Sequence, residues 1–93
     1  MKPSVCIVIF GTESARNISI ICNELGIHHE AVYPDVEPNE RYTHVILSGG
    51  PKHVYEADAY IIPEWVIKSE VPVLGICYGM QAISKYFGGI VCA

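Results

Sequence analysis

The stretch VPVLGICYGMQAISKYFGG, residues 71–89, decides how this chain folds. It opens with an apolar run typical of a buried strand, and a helical pattern follows directly over residues 78–87. At the junction, Gly75 and Gly79 flank Cys77 with the spacing of a nucleophile elbow, glycine-x-nucleophile-x-glycine. Glycines at these two positions indicate a strand-to-helix turn that is too tight for larger side chains.

The elbow would give Cys77 a specific chemical environment. The turn would push the sulfur out of the sheet edge and leave it at a helix N-terminus, where backbone N–H groups and the helix dipole favour the thiolate. A thiolate in that place is a nucleophile for an acyl carbon. The spacing alone leaves an alternative open, which is a buried cysteine in an ordinary strand–helix turn.

Short apolar runs recur along the rest of the chain and read as strands. They cover residues 5–10, 27–33, 44–47 and 71–76, and residues 90–93 look like the opening of a fifth strand. Helical patterns or polar connections separate the runs. This alternation predicts an α/β fold of the doubly wound, flavodoxin-like type, with a parallel sheet and right-handed crossovers.

Three segments have a helical pattern. The first follows Gly11, with Thr12 or Ser14 as a candidate cap, and ends at Gly26. A short helix is predicted after Pro63, packed through Trp65 and Val66, whereas residues 54–62 are ambiguous. The third is the helix after Cys77, ended by Gly88-Gly89. The residues predicted to face the core are Ala15, Ile18, Ile21, Cys22 and Leu25 in the first helix and Met80, Ile83 and Phe87 in the third.

Sites in an open parallel sheet form beyond the carboxyl ends of the strands. The segments that reach this edge are residues 11–14, 48–53 and 77–79. Acyl transfer at Cys77 needs donors for an oxyanion, and the N–H of Tyr78 would supply one. The loop Ser48-Gly49-Gly50-Pro51 is suited to supply the second, although a Gly-Gly-Pro sequence is also common in simple turns.

Composition limits the other possibilities. The 93 residues suffice for one small domain, and a net charge of −4 with no basic stripe gives no case for a nucleic-acid or membrane partner. The apolar run at the N-terminus is too short for a signal peptide or a membrane span, so we expect a cytoplasmic chain.

Other common site motifs are missing from the sequence. Neither of the glycine-rich loops that bind phosphate groups, G-x-x-x-x-G-K-[ST] and G-x-G-x-x-G, occurs. Cys6, Cys22 and Cys92 form no C-x-x-C pair and are expected to be small buried hydrophobes.

With these motifs in order, the chain resembles the glutaminase domain of class I (triad) glutamine amidotransferases. The resemblance rests on VILSGGP, residues 45–51, followed by the elbow, and the form CYGMQ, residues 77–81, is similar to the GMP synthase branch. It implies that Cys77 attacks the side-chain amide of glutamine to form a glutamyl thioester and release ammonia. It also implies that the N–H groups of Gly50 and Tyr78 hold the oxyanion and that Gly49 and Gln81 bind substrate.

The same resemblance implies a partner. An ATP-pyrophosphatase synthase domain or subunit would use the ammonia to convert XMP to GMP, and ATP and magnesium would belong to that part rather than to this chain. Residues 1–93 would then be one partial domain, the N-terminal half of the glutaminase domain.

The chain departs from the family pattern in one respect. The family's general base and its orienting acid come as His-x-Glu after the elbow, and no such segment follows residue 89, so we expect the 93 residues alone to be inactive. His28, His29 and His44 start strands at the wrong edge, and His53 is expected to be a surface loop residue. The alternatives are a non-catalytic binding or regulatory module for a synthase partner, the amidotransferase component of another biosynthetic enzyme, or another elbow-cysteine protein of the chaperone or peptidase type.

Overall fold

The computed structural model describes residues 2–50 and 61–87, and these residues form the predicted alternation of strands and helices. In chain order the elements are β1 (Ser4–Val8), α1 (Thr12–Glu24), β2 (His28–Val32), β3 (His44–Leu47), α2 (Glu64–Lys68), β4 (Val73–Gly75) and α3 (Tyr78–Tyr86). The predicted fifth strand, the glycine end of the last helix, most of the ambiguous stretch, Pro51, His53 and Cys92 lie outside the described residues.

The strands of the described part form a parallel sheet in the order β2-β1-β3-β4. Alternate residues of β1 point to opposite faces, so Val5 and Ile7 contact α1 while Cys6 and Val8 join the core under α2 and α3. Because helices cover both faces, the predicted doubly wound α/β fold is confirmed.

The inward face of α1 is narrower than predicted. Ala15, Ile18 and Cys22 are buried, but Ile21 is 54% exposed and Leu25 is 67% exposed, so the prediction was wrong for these two. Within the described part, α1 lies over β1 and β2. Ile21 therefore falls on the flank of the helix, and Leu25 is the C-cap residue beyond its last turn.

The capping of α1 also differs from the prediction. Its N-cap is Gly11, and neither Thr12 nor Ser14 caps the start. The hydroxyl of Ser14 accepts a hydrogen bond from another loop instead. At the other end, Gly26 has a φ of 68°, the left-handed conformation expected of a glycine that follows a helix.

The inward face of α3 is rotated relative to the prediction. Tyr78, Gly79 and Ala82 are buried and Ile83 packs against the core, whereas Met80 and Phe87 are 60% and 79% exposed. The small residues Gly79 and Ala82 face the sheet because the turn before α3 brings the start of this helix very close to β3. The prediction for Met80 and Phe87 was therefore wrong.

The short helix α2 agrees with its prediction. Pro63 is its N-cap, Val66 is buried and Trp65 packs against the same core. In the part of the chain that the structure covers, no helix combines the length and apolar character needed to cross a membrane.

Candidate active site

Cys77 occupies the junction between β4 and α3 in a conformation that side chains rarely adopt. It is the N-cap of α3, with φ 49° and ψ −107°, and it is the exposed cysteine among those described. A non-glycine residue with positive φ costs about 1–3 kcal/mol and persists only where the surrounding structure holds it. The turn at Cys77 is therefore strained, whereas the catalytic role of Cys77 stays a prediction.

The flanking glycines show what holds the turn. A Cβ atom added to Gly75 would lie 2.6 Å from the carbonyl carbon of Gly79. A Cβ atom on Gly79 would lie 2.3 Å from the carbonyl oxygen of Leu47, on β3. Any side chain at either position would push α3 away from the sheet, so the spacing of the two glycines is a steric requirement of the elbow.

A second loop at the same edge follows β3. Ser48 is fully buried, and its Oγ accepts hydrogen bonds from the N–H groups of Phe10 (2.9 Å) and Gly11 (3.3 Å) and donates to the carbonyl oxygen of Gly49 (3.0 Å). One hydroxyl therefore ties the loop after β3 to the loop after β1. A Cβ atom on Gly50 would lie 2.4 Å from the carbonyl oxygen of Phe10, so this position also requires glycine.

The elbow after β4 and the loop after β3 meet in one cleft of about 830 Å³, as expected for the carboxyl edge of a parallel sheet. Gly49 lies next to Cys77, since a Cβ atom placed on it would lie 3.3 Å from the Cβ of Cys77. Cys77, Gly49 and Gly50 all line the cleft. The structure thus brings three of the predicted site residues together.

The other two predicted site residues lie differently. The ring of Tyr78 is buried, with an edge-to-face contact to Phe10 at 5.0 Å between ring centroids, so this residue can face the cleft only through its backbone. Gln81 is one turn into α3, where its N–H donates to the carbonyl oxygen of Cys77, and it is not among the residues that line the described cleft. Its substrate-binding role stays a prediction.

Part of the cleft wall was not given a role from the sequence. The first turns of α1 contribute polar side chains, and β2 contributes the tyrosine that follows it: Thr12, Glu13, Ser14, Asn17 and Tyr33. Residues 11–14 could be placed at this edge because they follow the carboxyl end of a predicted parallel strand. Asn17 and Tyr33 carried no such signal, because their approach depends on how α1 and β2 are packed.

The described histidines lie at the opposite edge. His28 and His29 pair in register with Ser4 and Val5 at the start of β1, and His44 also pairs with Val5. His28 contacts Glu40. His29 donates a hydrogen bond from Nδ1 to the carbonyl oxygen of Ile27 (2.9 Å), and its Nε2 is hydrogen-bonded to Ser19 Oγ (2.7 Å). These positions agree with their predicted exclusion from the site. No cluster of possible metal ligands occurs within residues 2–50 and 61–87.

Two other described cysteines contrast with Cys77. Cys6 and Cys22 are buried, as predicted, and burial raises the pKa of both thiols. Both therefore stay protonated near neutral pH and act as small hydrophobes.

Comparison with known proteins gives this geometry a family. The model of the glutamine amidotransferase class-I family matches residues 9–93, which include both loops of the cleft. The chain belongs to the class I glutamine amidotransferases.

Relatives of this class I amidotransferase are similar over nearly its whole length. It is 42% identical over 96 residues to the GMP synthase (glutamine-hydrolyzing) of Dehalococcoides mccartyi, covering 98% of this chain and 18% of that protein. It is 44% identical over 88 residues to the enzyme of the same name from Thermotoga maritima, covering 94% of this chain and 18% of the relative. The corresponding protein of Wolinella succinogenes is 44% identical over 95 residues, covering 97% and 18%. This amidotransferase chain thus spans about a fifth of the length of these relatives.

Proposed function

We propose that this chain is part of the glutaminase domain of a GMP synthase and that Cys77 is its nucleophile. The observation that carries the proposal is the position of Cys77, exposed at a positive φ in a cleft shared with Gly49 and Gly50. Strain of this kind is concentrated at functional sites. The similarity to proteins named GMP synthase (glutamine-hydrolyzing) supports the choice of glutamine as substrate.

The reaction begins with the thiolate of Cys77 adding to the side-chain carbonyl carbon of glutamine. The carbonyl oxygen becomes an oxyanion, which accepts hydrogen bonds from the N–H groups of Gly50 and Tyr78. The C–N bond then breaks, the nitrogen takes up one proton and ammonia leaves, with the glutamyl group held as a thioester on Cys77. Water hydrolyses the thioester, releasing glutamate and restoring the thiol.

The proton for the leaving ammonia must come from a general acid. The histidines of the described segments are at the far edge of the sheet, so we assign this role to the His-x-Glu segment that the family resemblance places after the elbow. Gln81 would help to bind glutamine. The ammonia would pass to an ATP-pyrophosphatase synthase part, which uses ATP and Mg²⁺ to convert XMP to GMP.

The test uses the full-length protein with XMP, ATP and Mg²⁺ present. Cys77→Ala should abolish GMP formation from glutamine but leave GMP formation from added ammonium salts intact, because free ammonia bypasses the thioester. Cys22→Ala is the matched control, since it removes a buried thiol from α1 and should retain both reactions.

Two results would contradict the proposal in different ways. If Cys77→Ala still used glutamine, Cys77 would not be the nucleophile. If the unaltered protein released ammonia from glutamine but did not aminate XMP from either nitrogen source, the glutaminase assignment would stand and the GMP synthase assignment would fall.

A further inference from the structure

Gly49, in the loop after β3, lies between Ser14 and Cys77 and has little room for a side chain. A Cβ atom on it would lie 3.2 Å from Ser14 Oγ and 3.3 Å from the Cβ of Cys77. The following residue, Gly50, is more tightly restricted, since a Cβ atom on it would lie 2.4 Å from the carbonyl oxygen of Phe10. Sterics thus exclude a side chain at Gly50 and leave little room for one at Gly49, in a loop whose backbone must be well defined to hold an oxyanion. Glycine is the residue with the greatest backbone freedom, so something else must hold this loop.

Two serine hydroxyls hold both peptide groups of Gly49. Its N–H donates a hydrogen bond to Ser14 Oγ at 2.9 Å, and its carbonyl oxygen accepts one from Ser48 Oγ at 3.0 Å. Because a peptide group is planar, the second bond orients the whole unit that contains the N–H of Gly50. The first bond orients the preceding unit, so that rotation on either side of the Gly49 Cα is restricted.

We propose that Ser14 is a positioning residue for the oxyanion hole, acting through Gly49 on the N–H of Gly50. The inference rests on the proposed function, since it assumes that this N–H stabilises the oxyanion. Ser14 belongs to α1, 35 positions before Gly49 in the chain, and it lines the cleft beside Cys77. It thus couples the first helix of the fold to the geometry of acyl transfer.

A role in helix stability does not account for the Ser14 hydroxyl. Ser14 is the third residue of α1, and the helix has no side-chain cap. Alanine has a higher helix propensity than serine, so Ser14→Ala should leave α1 at least as stable in itself. The main loss is the hydrogen bond to the loop.

The experiment compares two reactions of Cys77 in the full-length protein. Hydrolysis of glutamine passes through an oxyanion, whereas alkylation by iodoacetamide forms an S–C bond and expels iodide without one. Ser14→Ala should lower kcat for ammonia release by about tenfold with KM nearly unchanged, because an oxyanion donor acts mainly in the transition state. The rate of Cys77 alkylation, followed by peptide mass analysis, should stay within about twofold of the unaltered protein, since that reaction does not use the oxyanion donors.

Ser19→Ala is the matched control. Ser19 is on the same helix, is also partly buried, and loses a single hydrogen bond, to His29 Nε2, on substitution. It should leave both reactions unchanged. Ser14→Thr retains the hydroxyl and should restore most of kcat.

The outcomes separate the two proposals. If the unaltered protein alkylates at Cys77 but releases no ammonia from glutamine, the proposed function fails and this inference falls with it. If glutamine is hydrolysed and Ser14→Ala keeps the same kcat as Ser19→Ala, the positioning role is overturned while the proposed function stands. A parallel fall in kcat and in alkylation would also overturn it, since that result indicates general damage to the elbow.

Discussion

Gly79 and Leu47 are in direct backbone contact, so that a Cβ atom added to Gly79 would lie 2.3 Å from the carbonyl oxygen of Leu47. This contact sets α3 on β3 and thereby places the strained Cys77 at the sheet edge. The residue that limits the approach is a glycine two positions after Cys77, which links the elbow motif to the packing of the core.

Gly79→Ala should therefore destabilise the fold through overpacking, by about 2–3 kcal/mol. Gly26→Ala is the comparison, because a Cβ atom there meets nothing within 4 Å and only its φ of 68° is unfavourable. That substitution should cost about 1 kcal/mol. Urea denaturation of both variants measures the difference, and equal midpoints would show that the contact with Leu47 relaxes freely.

Cys77→Gly should make the protein more stable and inactive at once. Glycine accepts positive φ without strain, so the free energy of unfolding should rise by about 1 kcal/mol. Cys77→Ala keeps the strain and should abolish glutamine hydrolysis with no such gain. If both variants had the same free energy of unfolding, the positive φ of Cys77 would cost no measurable free energy.

Ser48→Ala should destabilise the protein by about 1–3 kcal/mol, because the buried N–H group of Phe10 and the partly buried N–H group of Gly11 would lose their acceptor. The control is Ser69→Ala, which removes a hydrogen bond to the carbonyl oxygen of Val66 at an exposed helix end. It should change the stability by no more than a few tenths of a kcal/mol. Thermal unfolding of the two variants would reveal the contrast, and similar losses would argue against Ser48 as the tie between the loops.

The buried thiol of Cys6 should make stability depend on alkaline pH. Burial, with a smaller effect of the Glu30 carboxylate, raises its pKa from 9.0 to about 12. Between these values the unfolded chain releases a proton that the folded chain retains. The free energy of unfolding should therefore be independent of this thiol below pH 9. As the pH rises from 9 toward 12 it should fall by up to about 1.4 kcal/mol per pH unit.

Urea unfolding at pH 8 and pH 11 tests this dependence. Cys6→Ala should unfold with a shallower loss of stability over that range, although the raised pKa values of Cys22 and Tyr42 leave some dependence in place. Val8→Ala creates a cavity in the same strand and core without removing a titrating group, so its pH slope should match that of the unaltered protein. An unchanged slope in Cys6→Ala would refute the assignment.

Several features were predictable because they depend on local chemistry. The apolar runs and the intervening helical patterns indicate the order of elements, and the glycines around Cys77 indicate a turn without room for side chains. Gly26 marks the end of α1 for the same local reason. The side-chain periodicity was less informative, since Ile21, Leu25, Met80 and Phe87 are apolar and regularly spaced but exposed.

The sequence by itself thus determined the doubly wound class, the position of the elbow and the meeting of the elbow with the Gly49-Gly50 loop at one sheet edge. Parallel strands all have their carboxyl ends at the same edge of the sheet, whatever the packing details. Only the tertiary structure decided which helix faces are buried and which hydroxyls hold the Gly49 loop. The hydrogen bond from Gly49 to Ser14 spans 35 positions of the chain, and such a contact depends on how closely α1 lies over the sheet, a distance that no local pattern encodes.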